Sequence, residues 1–250
     1  MPSVVLADQL KRKGAGLVSL GIDYSRDINV FQYFRALDHI FNFVGRSGTS
    51  KIFDFNFDVV INQNWFTFDG GHTFYSQRQA ILKDPLIQRP EFLLPDAQQS
   101  YAINKLLPSL GVRPFEYVVL HPQANYRSRT ITGDSTSKAI QKITVPVVVI
   151  GQEIEVENCV NFTNQQSMVD CLLLLYYSRL FVGVCSCWSH FAWALWKDCF
   201  IFFSTTTEKN MWGDYHDRIK SVQCDDFHNG INVDDWGRFE AFLEQRGVKV

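Results

Sequence analysis

From about residue 113 onward, short unbroken apolar runs alternate with longer segments whose apolar positions recur at helical spacing. Residues 117–122 (YVVLHP), 145–151 (VPVVVIG), 180–184 (LFVGV) and 199–204 (CFIFFS) predict strands. Residues 136–143, 165–178 and 188–196 predict the helices between them. Residues 233–247 predict a final amphipathic helix with Trp236, Phe239 and Phe242 on one face. Strands without polar interruption are buried on both faces, so this alternation predicts a parallel sheet covered by helices on each side. Ligands of such sheets bind beyond the carboxyl ends of the strands. The segments to read for chemistry are therefore 121–130, 151–155, 185–190 and 204–209.

The first half is less regular. Residues 2–14 predict a helix closed by Gly14, and 16–22 a strand. Residues 28–44 read as helical or mixed, 58–65 (DVVINQNW) as a strand, and 69–90 as loop with a helix near 76–83. Residues 96–111 predict a helix with Asp96 near its N-cap, followed by a short linker, RPF. The expectation is an α/β protein of two parts. A reduced α/β domain spans 1–112, and a Rossmann-like domain spans 113–250.

A chain of 250 residues with 46% hydrophobic and 20% charged residues can bury a core without staples. Its net charge of −2 does not suit a dedicated nucleic-acid binder, which would be basic. The six cysteines lie in or beside apolar runs, where thiols pack as small hydrophobes, and read as reduced. The opening residues lack the pattern of a secretory signal, and LLLLYY is too short to span a membrane. A cytoplasmic location is expected, in which the Asn161-Phe162-Thr163 sequon has no meaning.

Three segments carry candidate chemistry. In VGVCSCWSH a strand runs through Cys185, Ser186 and Cys187 into a helix, with Ser189 and His190 in its first turn. Helix N-termini offer unpaired N–H groups and a positive dipole end, which suit a phosphate or diphosphate. The competing reading is that Ser186 only caps the helix and His190 only packs. In HPQANYRSRT, which leaves the first strand of this half, His121 and Gln123 precede Arg127 and Arg129, whose guanidinium groups suit phosphate clamping. In STTTEKN, Thr205, Thr206 and Thr207 present consecutive hydroxyls after the fourth strand. All three fall at one edge of one predicted sheet. A metal is not expected, because Cys185, Cys187 and His190 do not follow a usual zinc spacing and no CxxC pair exists. A cysteine nucleophile with a histidine base has only proximity in its favour. Neither GxGxxG nor a P-loop is present.

Residues 115–245 resemble the donor-binding domain of bacterial heptosyltransferases. They are more similar still to the autotransporter-heptosyltransferase branch. VGVCSCWSHFAWALWK resembles that branch's strand–loop–helix segment, EYVVLHPQANYRSRT its "HPGA" phosphate loop, and VPVVVIGQEIE its nucleoside-contacting turn. The resemblance implies a GT-B fold of two Rossmann-like domains and a glycosyltransferase that works without a metal or other cofactor. It takes a nucleotide diphosphate sugar as donor and a protein, a glycan or a modified nucleic-acid base as acceptor. Ser186 then matches the loop serine, Arg127 or Arg129 neutralises phosphate, Gln152 and Glu153 lie at the nucleoside, and Thr205 to Thr207 face the phosphates.

Two departures stand out. The family's glycine after the loop serine is Cys187 here. The family's opening strand and the Gly-Asp loop with its catalytic aspartate precede the point where this chain resembles it. A carboxylate base is then sought in Asp8, Asp23 or Asp27, or in a partner subunit. A shortened N-terminal sheet also predicts self-association or a partner that covers its edge. The alternative function is a non-catalytic protein of the same fold that binds a nucleotide or a partner.

Overall fold

The computed structural model describes residues 11–12, 33, 92–124, 130–151, 159–162, 167–204, 218–224 and 231–249, together with the backbone of 19–22 and 39–42. Two short strands, β1 (Ser19–Ile22) and β2 (His39–Asn42), pair in parallel, with Ser19 opposite His39. The second lies inside the segment read as helical or mixed, and Tyr33 upstream of it is in a single 3-10 turn residue. Of the helix expected over 2–14, residues 11 and 12 are helical. The strand expected at 58–65 and the helix near 76–83 lie outside the described residues.

The main sheet contains β3 (Val118–His121), β4 (Val147–Ile150), β5 (Cys159–Phe162), β6 (Leu180–Val184), β7 (Asp198–Phe203) and β8 (Ile219–Gln223). Every pairing is parallel and the order is β5-β4-β3-β6-β7-β8. Counted within this sheet, the order is 3-2-1-4-5-6, the arrangement of a doubly wound dinucleotide-binding sheet. The chain runs outward from β3 in one direction and then returns to start again at β6. The switch point therefore lies between β3 and β6.

Helix α1 covers 96–109. It starts at Asp96 behind an N-cap of Pro95, so Asp96 is its first residue. A π-helical turn, Ala102–Leu106, interrupts it. The others are α2 (Gly133–Gln141), α3 (Met168–Tyr177), α4 (Cys187–Ala194) and α5 (Val233–Gln245). Side chains that accept backbone N–H groups set three of the starts: Thr132 for α2, Ser167 for α3 and Asn232 for α5. Capping by Thr132 explains why α2 begins three residues before the apolar pattern that predicts it.

Alternation along the strands divides the core in two. Val119, Val148, Ile150, Phe181, Ile201 and Phe203 face one cluster with α1, α3 and α4. Val118, Leu120, Val149, Val182, Phe200 and Phe202 face another with α2 and α5. Helix α3 is buried at every position from Cys171 to Leu175. A helix apolar all round must be enclosed, and this one packs against both α1 and α4. Tyr33 joins the same cluster: its carbonyl accepts from Leu93 N–H at 2.8 Å, and its ring meets Phe92 at 5.9 Å. On the other face, the α5 residues predicted to share one side are buried together. Phe239 is fully buried among Phe200, Phe202 and Trp236 at 5.0, 5.8 and 5.9 Å between ring centroids.

The amino edge of the sheet is tied by charge. Asp198 receives Arg218 through Nε and Nη2 at 3.2 and 2.9 Å, and pairs with Arg246 Nε at 2.9 Å. Arg179 donates to the carbonyls of Arg246 and Gly247 at 2.9 Å each. Gly247 has φ +68°, and a Cβ there would stand 2.7 Å from Arg179 Nη2. The tail after α5 is thereby fastened to the starts of β6 and β7.

Removing the Phe239 ring empties the centre of the second core. Phe239→Ala is expected to lose about 3–5 kcal/mol of stability, read from urea unfolding. A loss below about 1 kcal/mol would show that α5 does not carry this face.

Candidate functional site

The carboxyl ends of three adjacent strands, β4, β3 and β6, converge on one side chain. His121 is the last residue of β3 and is 7% exposed. Its Nδ1 lies 3.2 Å from Ser186 Oγ, in the loop that leads from β6 into α4. Its ring lies against Gly151, the residue after β4, which has φ +108°. A Cβ at Gly151 would fall 2.9 Å from both Cδ2 and Nε2 of the imidazole. On the other side His121 is paired with Gly183 of β6, where a Cβ would stand 2.5 Å from the His121 carbonyl oxygen. Two glycines and a serine thus hold the imidazole at the switch point of the sheet.

Burial sets the electrostatics. It pushes His121 down from the usual 6.5 to about 4, because the charged form would be desolvated. The ring is neutral across the ordinary pH range, with one nitrogen a donor and the other an acceptor.

The loop after β6 is shaped by Ser189. Its hydroxyl donates to the Ser186 carbonyl at 2.7 Å and accepts from the Ser186 N–H at 3.1 Å. Ser189 is buried and its hydroxyl organises the turn, whereas Ser186 is half-buried at the mouth of α4. Cys185 is buried and Cys187 is exposed as the first residue of the helix. His190 is half-buried one turn along. All six cysteines are thiols rather than halves of disulfides. Burial raises the Cys171 and Cys199 thiols well above their usual value.

Beside the end of β3, the Pro122 carbonyl accepts from Ile131 N–H at 2.9 Å, and the Ala124 carbonyl accepts from the Thr130 hydroxyl at 3.5 Å. These bonds pin together the two ends of the segment that holds Arg127 and Arg129. Gln123 is half-buried, and its Oε1 is buried with no hydrogen-bond partner among the described residues. Arg127, Arg129, Gln152, Glu153, Thr205, Thr206 and Thr207 lie outside the described residues, as do Asp8, Asp23 and Asp27. Of the predicted donor-site residues, the structure brings His121, Gln123, Cys185, Ser186, Cys187, Ser189 and His190 to the carboxyl edge around β3 and β6. Among the described residues, no group of three or more His, Cys, Asp or Glu side chains converges as for a metal ion. No described helix is long and apolar enough to cross a membrane.

The sequence places Gly151 at the head of a segment to read for chemistry without giving it a role, and Gly183 is not among the expected site residues. The signal for Gly183 is in the chain: a lone glycine inside the apolar strand LFVGV marks a close approach by another backbone.

Gly151→Ala and Gly183→Ala each force His121 to move and are expected to lose about 1–3 kcal/mol, read from thermal or urea unfolding. Unchanged stability in both would contradict the packing around the imidazole. The unfolded chain protonates His121 near 6.5 and the folded chain only near 4, so the unfolded state binds more protons between these values. Stability contributed by neutral His121 is full above about 6.5 and is lost as pH falls toward about 4. His121→Asn removes this part of the slope, measured as the difference between the two proteins' unfolding free energies at about pH 7 and about pH 5.

No protein-family profile matches the chain, and no curated protein matches it in sequence. Solved structures do match. The ADP-heptose LPS heptosyltransferase II of E. coli aligns with a TM-score of 0.51 and 12% identity, over 67% of this chain and 58% of that one. The chain thus spans less than two thirds of that enzyme's length. A glycosyl transferase family 9 protein of Veillonella parvula aligns with a TM-score of 0.64 and 9% identity, over 98% of this chain and 93% of that one. At such low identity the likeness is one of fold. The chain has the α/β architecture of GT-B glycosyltransferases, with a six-stranded parallel sheet whose switch point holds His121 and Ser186.

Proposed function

We propose that the protein is a glycosyltransferase that binds a nucleotide diphosphate sugar at the carboxyl edge of the six-stranded sheet. The observation that carries this reading is the polar pair His121–Ser186 at the switch point of a 3-2-1-4-5-6 sheet, where α4 begins. Doubly wound sheets bind nucleotides at that crevice. The likeness to a family 9 glycosyl transferase over 98% of the chain directs the nucleotide reading toward sugar transfer.

In this reading the diphosphate lies at the first turn of α4. The helix dipole and backbone N–H groups favour its charge, and Ser186 donates a hydroxyl hydrogen bond. Arg127 or Arg129, and the hydroxyls of Thr205 to Thr207, complete the neutralisation. Gln152 and Glu153 take the nucleoside. The acceptor hydroxyl or other nucleophile attacks the anomeric carbon from the face opposite the diphosphate. The bond to the acceptor forms as the bond to the diphosphate oxygen breaks. The acceptor proton passes to a base, for which Asp8, Asp23 and Asp27 are the candidates. The leaving charge is held by the helix end and basic side chains, so the step requires no metal. The acceptor is a protein, a glycan or a modified nucleic-acid base.

The E. coli neighbour's name gives an ADP-linked donor, so ADP is the first nucleotide to test. Melting temperature is followed with ADP, UDP, GDP, CDP and TDP and their sugars in turn. One of them is expected to raise it, since a ligand of the folded state alone stabilises by mass action. Ser186→Ala is expected to weaken that nucleotide by about 10-fold, the worth of one hydrogen bond to a charged group. Cooperative melting with no shift for any nucleotide would overturn the donor site. Binding without release of nucleotide from its sugar, with any of the three acceptor classes, would leave a binding protein and overturn the enzyme.

A further inference from the structure

We infer that His121 is a positioning residue, whose Nδ1–H holds the Ser186 hydroxyl turned outward to donate to a phosphate of the bound nucleotide. This rests on the donor-site reading above and goes beyond it by assigning a role to a side chain that need not touch the donor.

The hydrogen-bonding capacity of the His121–Ser186 pair decides which tautomer suits a phosphate. Ser186 Oγ has a single proton and lies 3.2 Å from His121 Nδ1. A neutral imidazole has two tautomers. If Nδ1 is bare, the serine proton must be spent on it, and Ser186 then turns only lone pairs toward the mouth of α4. A phosphate oxygen is an acceptor, so lone pairs would face lone pairs. If Nδ1 carries the proton, it donates to Ser186 Oγ, and the serine proton is released for the phosphate. Nucleotide binding therefore selects the Nδ1–H tautomer. No charge moves in this exchange: the ring gives up a proton at Nε2 and gains one at Nδ1.

The surroundings support a ring held in place for this purpose. His121 is more than nine-tenths buried, and its ring faces Gly151, where no side chain fits. Its backbone is locked against Gly183, so the imidazole cannot retreat into the sheet. Ser186 is fixed from the other side by Ser189, which binds both its N–H and its carbonyl. The Ser186 oxygen also takes the Ser189 N–H in a capping box, so what is left at Ser186 is the direction of its hydroxyl proton, and His121 is the group that sets it. Burial keeps the ring uncharged, so the relay works through tautomers and not through protonation.

The test uses the full chain with ADP, then UDP, GDP, CDP and TDP. Affinity is measured by calorimetry for the wild type, His121→Asn, His121→Leu, Ser186→Ala and the double variant of the last two. Asparagine keeps an N–H donor near the place of Nδ1, and is expected to bind within about 3-fold of the wild type. Leucine is expected to weaken binding about 10-fold, and this loss is expected to vanish when Ser186 is already alanine. A role confined to packing would give additive losses instead, and would overturn the inference. Should His121→Leu fail to fold, nitrogen-15 spectra of the wild type decide. The nucleotide-bound protein is expected to carry the ring proton on Nδ1, and a proton on Nε2 with Nδ1 bare overturns the inference. These failures differ from failure of the donor site itself, in which the wild type binds none of the five nucleotides and the inference falls with it.

Discussion

The contact between the Gly183 position and the His121 carbonyl is the constraint on which the rest depends. Strands β3 and β6 approach so closely there that a single methyl group would stand 2.5 Å from a backbone oxygen. These two strands belong to the two halves of the winding, and their helices leave toward opposite faces. A crevice opens where the halves part, and only at the carboxyl edge. The close approach delivers a polar side chain, His121, into that crevice and delivers Ser186 to meet it. Side chains 65 positions apart become neighbours because one glycine lets their strands touch.

Stability is supplied elsewhere. The two apolar clusters hold the sheet between its layers, and the Asp198, Arg218, Arg246 and Arg179 network ties the amino edge. The charged network is remote from the carboxyl edge, and the first cluster reaches that edge through Ile150, Cys185 and Trp188. The site itself keeps features that add nothing to packing, such as a half-buried serine, a buried amide oxygen on Gln123 and an exposed thiol on Cys187. A buried neutral imidazole with one hydroxyl partner is itself a poor way to fill a core. It sits at the switch point of the sheet, where β3 and β6 part.

Much of the sheet was legible in the chain, for a physical reason. β3, β4, β6 and β7 are central or next to central, and burial on both faces leaves an unbroken apolar run. β5 and β8 are the edges. CVNF and IKSVQ carry exposed or half-buried positions, so neither shows such a run, and both escaped notice. β2 was obscured differently. HIFN lies within a Phe-rich stretch that satisfies helical and strand spacing at once, and its parallel partner is 20 residues away in register. At the site, Ser186 and His121 could each be singled out because they follow apolar strands. Their pairing could not, because it depends on which strands are neighbours, and strand order is not written in local periodicity. Gly151 was visible only as the end of a strand. Its positive φ and its contact with the imidazole belong to the fold.

Cys187 shows how the site tolerates a side chain where the resembling family has glycine. The residue is exposed as the first position of α4, and the turn before it is already closed by Ser186 and Ser189. The side chain at this position is thus accommodated at the protein surface. The helix start retains its geometry without glycine, because the strict requirement for a missing side chain has been met two strands over, at Gly151, and within β6, at Gly183. Those two positions govern where the backbone and the imidazole sit. A thiol at the first helical residue leaves the Ser186–Ser189 turn and the His121–Ser186 contact undisturbed.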